Sequence, residues 1–157
     1  MLKNIVVIND FAFVNGGAAK VAITSACELS RRCYHVIYFA AVGPIANSLI
    51  SNGVEVHCLN QYDILNNPSR LGAVKQGIWN DKAEEELKEL LSNYNHDNTV
   101  IHMHGINKAL SASVLKVTSS TDFQILWTMH DYFAFCPNGG MFNYKTLKIC
   151  EKKAMSF

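Results

Sequence analysis

Two short segments, far apart in the chain, carry the residue types that could bind a phosphorylated ligand. Asn15-Gly16-Gly17-Ala18-Ala19-Lys20 follows the first apolar run, and Thr128-Met129-His130-Asp131-Tyr132 follows the last. Two glycines between a buried strand and a helix let backbone N–H groups face outward. The helix N-terminus adds partial positive charge there, and a diphosphate fits such a place. The plain alternative is a tight turn that needs φ > 0. A histidine at a strand's carboxyl end can donate to a sugar hydroxyl or a phosphate oxygen, and an adjacent carboxylate can fix its tautomer or cap the next turn. In a parallel sheet both segments leave the carboxyl ends of strands, the edge where such folds bind ligands. Together they point to a nucleotide-sugar or phosphosugar site, of which this chain holds part.

Other constellations compete with that one. In Ile101-His102-Met103-His104-Gly105 the two histidines share a strand face. A His-x-His pair also opens some metal-hydrolase sites, but the barrel those need has more strands than this chain can supply. The expectation is a packed, satisfied His102 and a His104 that borders a pocket. Cys136 and Cys150 flank Gly139-Gly140 with no Cys-x-x-Cys beside them, so they are at most half of a zinc site. Neither Gly-x-Gly-x-x-Gly nor a P-loop is present, and no acidic residue closes the second strand. No metal and no cofactor is expected.

The elements that must position these residues alternate along the chain. Ile5-Val6-Val7-Ile8 is a β-branched apolar run, which reads as a strand buried on both faces. A helix follows over 18–32, with Ala18, Ala22, Ser25, Ala26 and Leu29 as a small-residue stripe that packs close to a sheet. Strands are expected over 35–39, 54–59, 100–104 and 123–128, the one over 54–59 near an edge. Gly43-Pro44 opens a short helix that Asn52-Gly53 closes. Asp81 with Glu84 forms a capping-box-like start to a helix. The apolar face of that helix is Ala83, Leu87, Leu90, Leu91 and Tyr94. A further helix spans 108–117. Residues 60–79 show turn chemistry at Asn66-Asn67-Pro68-Ser69, and residues 132–157 show no clean period. The order predicts an α/β fold: a Rossmann-like, doubly wound parallel sheet of about five strands.

Composition narrows the function classes. The chain has 157 residues, 49% of them hydrophobic, which suits one domain with a real core. Lys+Arg 14 against Asp+Glu 13 leaves a net charge of +1, with no basic surface for nucleic acid. Arg31-Arg32 is the local basic cluster; a solvated helix end is its first reading and a membrane-surface contact its second. No secretory signal or membrane span is visible, and five scattered cysteines suit a reducing compartment, so a cytoplasmic protein is expected.

The residues then resemble a known family. Gly16-Gly17-Ala18-Ala19-Lys20-Val21 through Leu29 and on to His35-Val36 looks like the first βαβ unit of the family-4 glycosyltransferases. Ile101-His102-Met103-His104-Gly105 resembles their fourth strand. Thr128-Met129-His130-Asp131-Tyr132-Phe133 with Cys136-Pro137 resembles members that assemble bacterial surface polysaccharides. The resemblance implies a GT-B architecture of two Rossmann-like domains, with this chain as the amino-terminal, acceptor-side one, cut short and lacking the donor-binding domain. It implies transfer of a sugar, with retention, from a nucleotide-sugar donor to a glycan or lipid-linked acceptor, and no metal. It places Gly16 and Gly17 near the donor diphosphate and His130 near the transferred sugar. Catalytic roles then fall to His130 and Asp131. Binding roles fall to Asn15, Gly16, Gly17, Lys20, His104 and Tyr132. Peripheral contact with the inner face of a membrane follows from a lipid-linked acceptor. The family's Gly-His before the second strand is replaced here by Tyr34-His35, which bears on the turn geometry. Alone, the chain is expected to bind donor weakly or not at all and to transfer nothing. The rival expectation is a non-catalytic binding subunit that pairs with a separate donor-binding protein and is anchored by Phe133-Ala134-Phe135.

Overall fold

The computed structural model describes residues 1–136 and 138–151. Pro137, part of the Cys136-Pro137 motif, and residues 152–157 lie outside the described residues. Strands β1 (Asn4–Phe11), β2 (His35–Val42), β3 (Glu55–Cys58), β4 (Thr99–Met103) and β5 (Gln124–Trp127) form one sheet. Its order is β3-β2-β1-β4-β5, and every pairing in it is parallel. This is the Rossmann-like, doubly wound arrangement that the alternation of elements predicts.

The central strand β1 explains the continuous apolar run. Val6 and Ile8 face one side, with Ile37, Phe39, Ile101 and Met103. Ile5 and Val7 face the other, with Val36, Tyr38 and Ala40. Alternate side chains on a strand point to opposite faces, so a strand covered on both sides has no polar positions to spare. Helix α1 (Gly17–Arg31) covers the second face through Ala22, Ile23 and Ala26, joined by Leu49 of α2 (Asn47–Ser51). Helices α4 (Asp81–Ser92) and α5 (Ser113–Ser119) cover the first, through Leu87, Leu90, Leu91, Val114 and Val117. The face α1 buries is Ala19, Ala22, Ile23, Ala26 and Cys27; of the expected stripe, Ala18, Ser25 and Leu29 lie at its margin, half-buried.

Several local expectations shift. The cap of α4 is Asn80, whose Oδ1 accepts the Ala83 N–H at 3.1 Å. Asn80 is buried and its Nδ2 also donates to Ala109 O at 2.8 Å, so it outcompetes Asp81 for the cap. Glu84 instead accepts from the Trp79 indole and from Lys88. A five-residue α2 replaces the helix expected from Gly43-Pro44. Helix α3 (Arg70–Ile78) occupies the stretch without a clear period, capped by Ser69. The start of α5 falls at Ser113, after a turn whose Lys108, Ala109 and Leu110 N–H groups are held by Asp10 of β1. The tail carries a short antiparallel hairpin, β6 (Phe142–Asn143) with β7 (Lys148–Ile149).

The turn from α1 to β2, where Tyr34-His35 departs from Gly-His, closes with Cys33 in the left-handed region at φ 66°. Tyr34 N–H donates to Leu29 O at 3.3 Å and Cys33 N–H to Ser30 O at 2.9 Å, a Schellman-type end that favours glycine. The Cys33→Gly variant is therefore expected to gain about 0.5–1 kcal/mol of stability. The urea-unfolding midpoint reads this; an unchanged or lower midpoint contradicts it.

Candidate functional site

The chain leaves β1 for a helix on one face and β4 for a helix on the other. The carboxyl ends of these adjacent strands therefore splay apart, which opens a crevice at the topological switch point. A cleft of about 410 Å³ lies there. The start of α1 forms one wall through Gly17, Ala18 and Ala19; His130, Asp131 and Phe133 form the opposite one, and Asp10, Asn107 and Lys108 line the space between them.

The α1 wall is a set of bare donors. The first ladder bond runs from Lys20 N–H to Gly16 O at 3.0 Å, and the N–H groups of Gly17, Ala18 and Ala19 have no partner among the described residues. No side chain caps the helix and no acidic residue lies in its first turn. Gly16 is extended, and neither glycine lies in the left-handed region, so the tight-turn explanation of this pair does not hold. A Cβ at Gly16 or Gly17 would meet nothing within 4 Å. Neither backbone conformation nor internal packing accounts for these glycines. Their effect is to leave the amides open to an approaching group.

The floor rests on Asp10. Its carboxylate is almost wholly buried and accepts the N–H groups of Lys108 at 2.9 Å, Ala109 at 2.9 Å and Leu110 at 2.8 Å. Neighbouring Asn9 donates to Phe11 O at 2.9 Å and accepts from Gly105 N–H at 3.3 Å. Burial pushes the Asp10 carboxyl up to about 6, against the pull of its three backbone donors and of the Lys108 charge.

The opposite wall is stapled by side chains spaced alike at the ends of β4 and β5 and just beyond them. His102 Nε2 lies 2.8 Å from Thr128 Oγ1, and His104 Nδ1 lies 2.9 Å from His130 Nε2. Trp127 Nε1 adds a bond to His104 O at 3.1 Å. The rings of His104 and His130 stack at 5.2 Å and 18°, while those of His102 and His104 sit 4.2 Å apart. His104 is 2% exposed, and its Nε2 has no partner among the described residues. Burial, then the His102 and His130 charges, pushes its imidazole down to about 3, so it is neutral at pH 7. Burial also lowers His102.

As expected, His102 is hydrogen-bonded and His104 borders a small void; the difference is that His104 is the more deeply buried ring. His102 is half-buried and bonded, on an apolar groove beside α1. His104, past the end of β4, is the buried one, tucked behind His130.

Of the sequence-predicted site residues, Asn15, Gly17, His130 and Asp131 line the cleft, and Gly16 accepts the first helical bond beside it. His104 stands behind the wall and touches it through His130. Lys20 is exposed on α1 and Tyr132 is 52% exposed, and neither lines the cleft. Asp131 Oδ1 accepts Phe133 N–H at 3.1 Å, the turn-capping role, and makes no bond to His130. Asp10, Asn107 and Lys108 are site residues that the sequence reading does not single out, and Phe133, expected as a partner anchor, also lines the cleft. The signal for Asp10 is visible in retrospect, as a polar Asn9-Asp10 pair inside a strand that is otherwise apolar on both faces. Among the described residues no group of three or more His, Cys, Asp and Glu lies together as a metal set, and the five cysteines are free.

Two pH effects follow, of opposite sign. His104 is depressed in the fold from 6.5 to about 3, so the unfolded chain takes up its proton first. Stability falls as pH drops below 6.5, by roughly 2 kcal/mol at pH 5 from this group. Asp10 is raised from 3.8 to about 6, so the folded state binds its proton first and gains stability as pH drops from 6 toward 3.8. Relative to wild type, His104→Gln is expected to gain stability progressively below pH 6.5, and Asp10→Asn to lose it below pH 6. Chemical denaturation across pH 4 to 8 measures both, and parallel curves for wild type and either variant contradict the assignment for that residue. Comparison of the chain with protein-family models, with curated proteins and with solved structures returns no match.

Proposed function

We propose that this chain is the acceptor-side, amino-terminal half of a retaining glycosyltransferase of GT-B architecture. It moves a sugar from a nucleotide-sugar donor to a hydroxyl of a glycan or lipid-linked acceptor, as in the assembly of surface polysaccharide. One observation carries the reading. The uncapped start of α1, with open space over Gly16 and Gly17, faces His130 across a cleft at the switch point. Bare amides and a helix dipole suit the donor diphosphate. His130 suits an oxygen of the transferred sugar, Lys108 adds positive charge between them, and Asp131 holds the turn that presents His130. Stabilisation of the departing diphosphate is the main electrostatic task, shared with cationic side chains of a donor-binding domain. The reading calls for no metal and no cofactor.

A lipid-linked acceptor is favoured by helix α3. Leu71, Val74 and Ile78 recur at helical spacing and are 85%, 58% and 69% exposed, with Leu65 at 90% and Tyr62 at 59% nearby. Arg70 and Lys75 flank them. Such a stripe suits peripheral contact with an anionic membrane surface on the cytoplasmic side. An apolar recess of about 370 Å³, lined by Ile64, Leu65, Phe11 and Phe133, runs from this region to the cleft. The non-catalytic reading draws on the exposed Phe133 and Phe135. A partner that copurifies with the chain and restores donor binding would favour it.

Three outcomes test the proposal. Nucleotide-diphosphate sugars should bind wild type in the millimolar range, and Gly17→Val should weaken them at least about tenfold. A Cβ at Gly17 meets nothing within 4 Å, and the variant's urea-unfolding midpoint separates lost binding from lost fold. Equal affinity in wild type and variant contradicts the diphosphate placement. Flotation with anionic liposomes should be lost in the double variant Leu71→Glu, Ile78→Glu; equal flotation of the variant contradicts the membrane contact. Sugar release from a donor by the chain alone would contradict its being half of a site.

A further inference from the structure

Just past the ends of β4 and β5, one buried polar side-chain atom has no partner among the described residues, His104 Nε2. Its other ring nitrogen lies 2.9 Å from His130 Nε2. A single proton sits between those two nitrogens, and its placement sets both rings. In one arrangement His130 Nε2–H donates and the His104 proton is forced onto Nε2, as a buried donor with nothing to bond. In the other, His104 Nδ1–H donates and His104 Nε2 carries only a lone pair. A buried unpaired N–H is rarer and costlier than an underused acceptor. The neighbouring void, bordered by His104 and His130 themselves with Asp131, Trp127, Met129 and Ala134, is about 10 Å³, at the lower bound for one water.

We infer that His104 donates from Nδ1 and so holds His130 as its Nδ1–H tautomer, which makes His130 a hydrogen-bond donor to the cleft. Among the described residues His130 Nδ1 has no protein partner, and His130 is exposed on the cleft wall. Asp131, its neighbour, is occupied with the Phe133 amide and does not set the tautomer. The ligand atom that meets His130 is then an acceptor oxygen, of a sugar hydroxyl or a phosphate. In this state the ring offers the cleft no lone pair, so it orients and stabilises the ligand and does not take a proton from it. His104 touches no ligand; it is a positioning residue that acts through His130. The inference rests on the reading above only in taking His130 as a ligand contact, and the tautomer stands or falls without any sugar present.

The test is a long-range ¹H–¹⁵N correlation spectrum of the chain with ¹⁵N-labelled histidine, free of ligand, at a pH where the rings are neutral. Single substitutions assign the signals. In wild type, His104 and His130 are both expected to be protonated at Nδ1 and bare at Nε2. A His130 protonated at Nε2 overturns the inference from the wild-type spectrum alone, whatever the variants do. In His104→Phe, His130 should lose the enforced tautomer and shift toward Nε2–H. In His104→Gln, whose amide can donate to the same nitrogen, the Nδ1–H form should persist. An unchanged His130 signal in His104→Phe also overturns it. Failure of sugar binding in a separate titration would bear on the functional reading and leave the tautomer result intact.

Discussion

The site depends on one buried carboxylate. Asp10 sits one residue before the end of the central strand, inside a layer that is apolar on both faces, and it accepts three successive backbone N–H groups from the connection after β4. That connection crosses the point where the chain changes sides of the sheet. Without a partner its amides would be buried donors with no acceptor, and Asp10 without them would be a buried charge. Each satisfies the other. The exchange fixes Gly105, Asn107 and Lys108 against the end of β1, and the crevice at the switch point takes its floor from this grip.

The two walls obey different physics. The α1 wall is made by omission: no cap, no acidic residue in the first turn, and no side chain on the two glycines that enter the helix. A helix end left bare at a water-filled edge costs little, because water can occupy its donors until a ligand displaces it. The β5 wall is made by insertion. The ends of β4 and β5 and the residues just past them place a histidine and a threonine, and then two histidines, opposite one another, which sets a row of three imidazole rings at the sheet's end. Burial keeps the middle ring neutral and leaves one of its nitrogens unpaired. That arrangement gives up stability in acid and gains control over which nitrogen His130 presents.

The fold was legible because its main signals are local and periodic. The β-branched run at 5–8, the glycine pair before a helix and the amphipathic spacing from Ala83 to Tyr94 each report a burial pattern that the structure repeats. Boundaries were less legible where side chains act at long range. Asn80 caps α4 because it is also tied to Ala109, and α5 starts late because Asp10 holds the residues before it. Helix α3 escaped notice because it buries only Ala73 and turns its apolar stripe outward, which blurs the usual contrast between faces. Within the site, the glycine turn and His130 could be read from position on the ligand edge. Lys20 and Tyr132 stood in the right segments, but helix phase and loop path carry them away from the cleft. Whether His102 or His104 would be the buried ring could not be read from a two-residue spacing, since both share a face. That choice depends on what β5 sets against them.

The central claim is that this cleft grips a diphosphate at the start of α1 and an oxygen of the attached sugar at His130. A crystal structure of the chain at saturating nucleotide-diphosphate sugar tests it most directly. The account predicts phosphate oxygens within hydrogen-bond distance of the Gly17 and Ala18 N–H groups, and a sugar oxygen against His130 Nδ1. Ligand bound elsewhere on the sheet, with the start of α1 and His130 untouched, would contradict it.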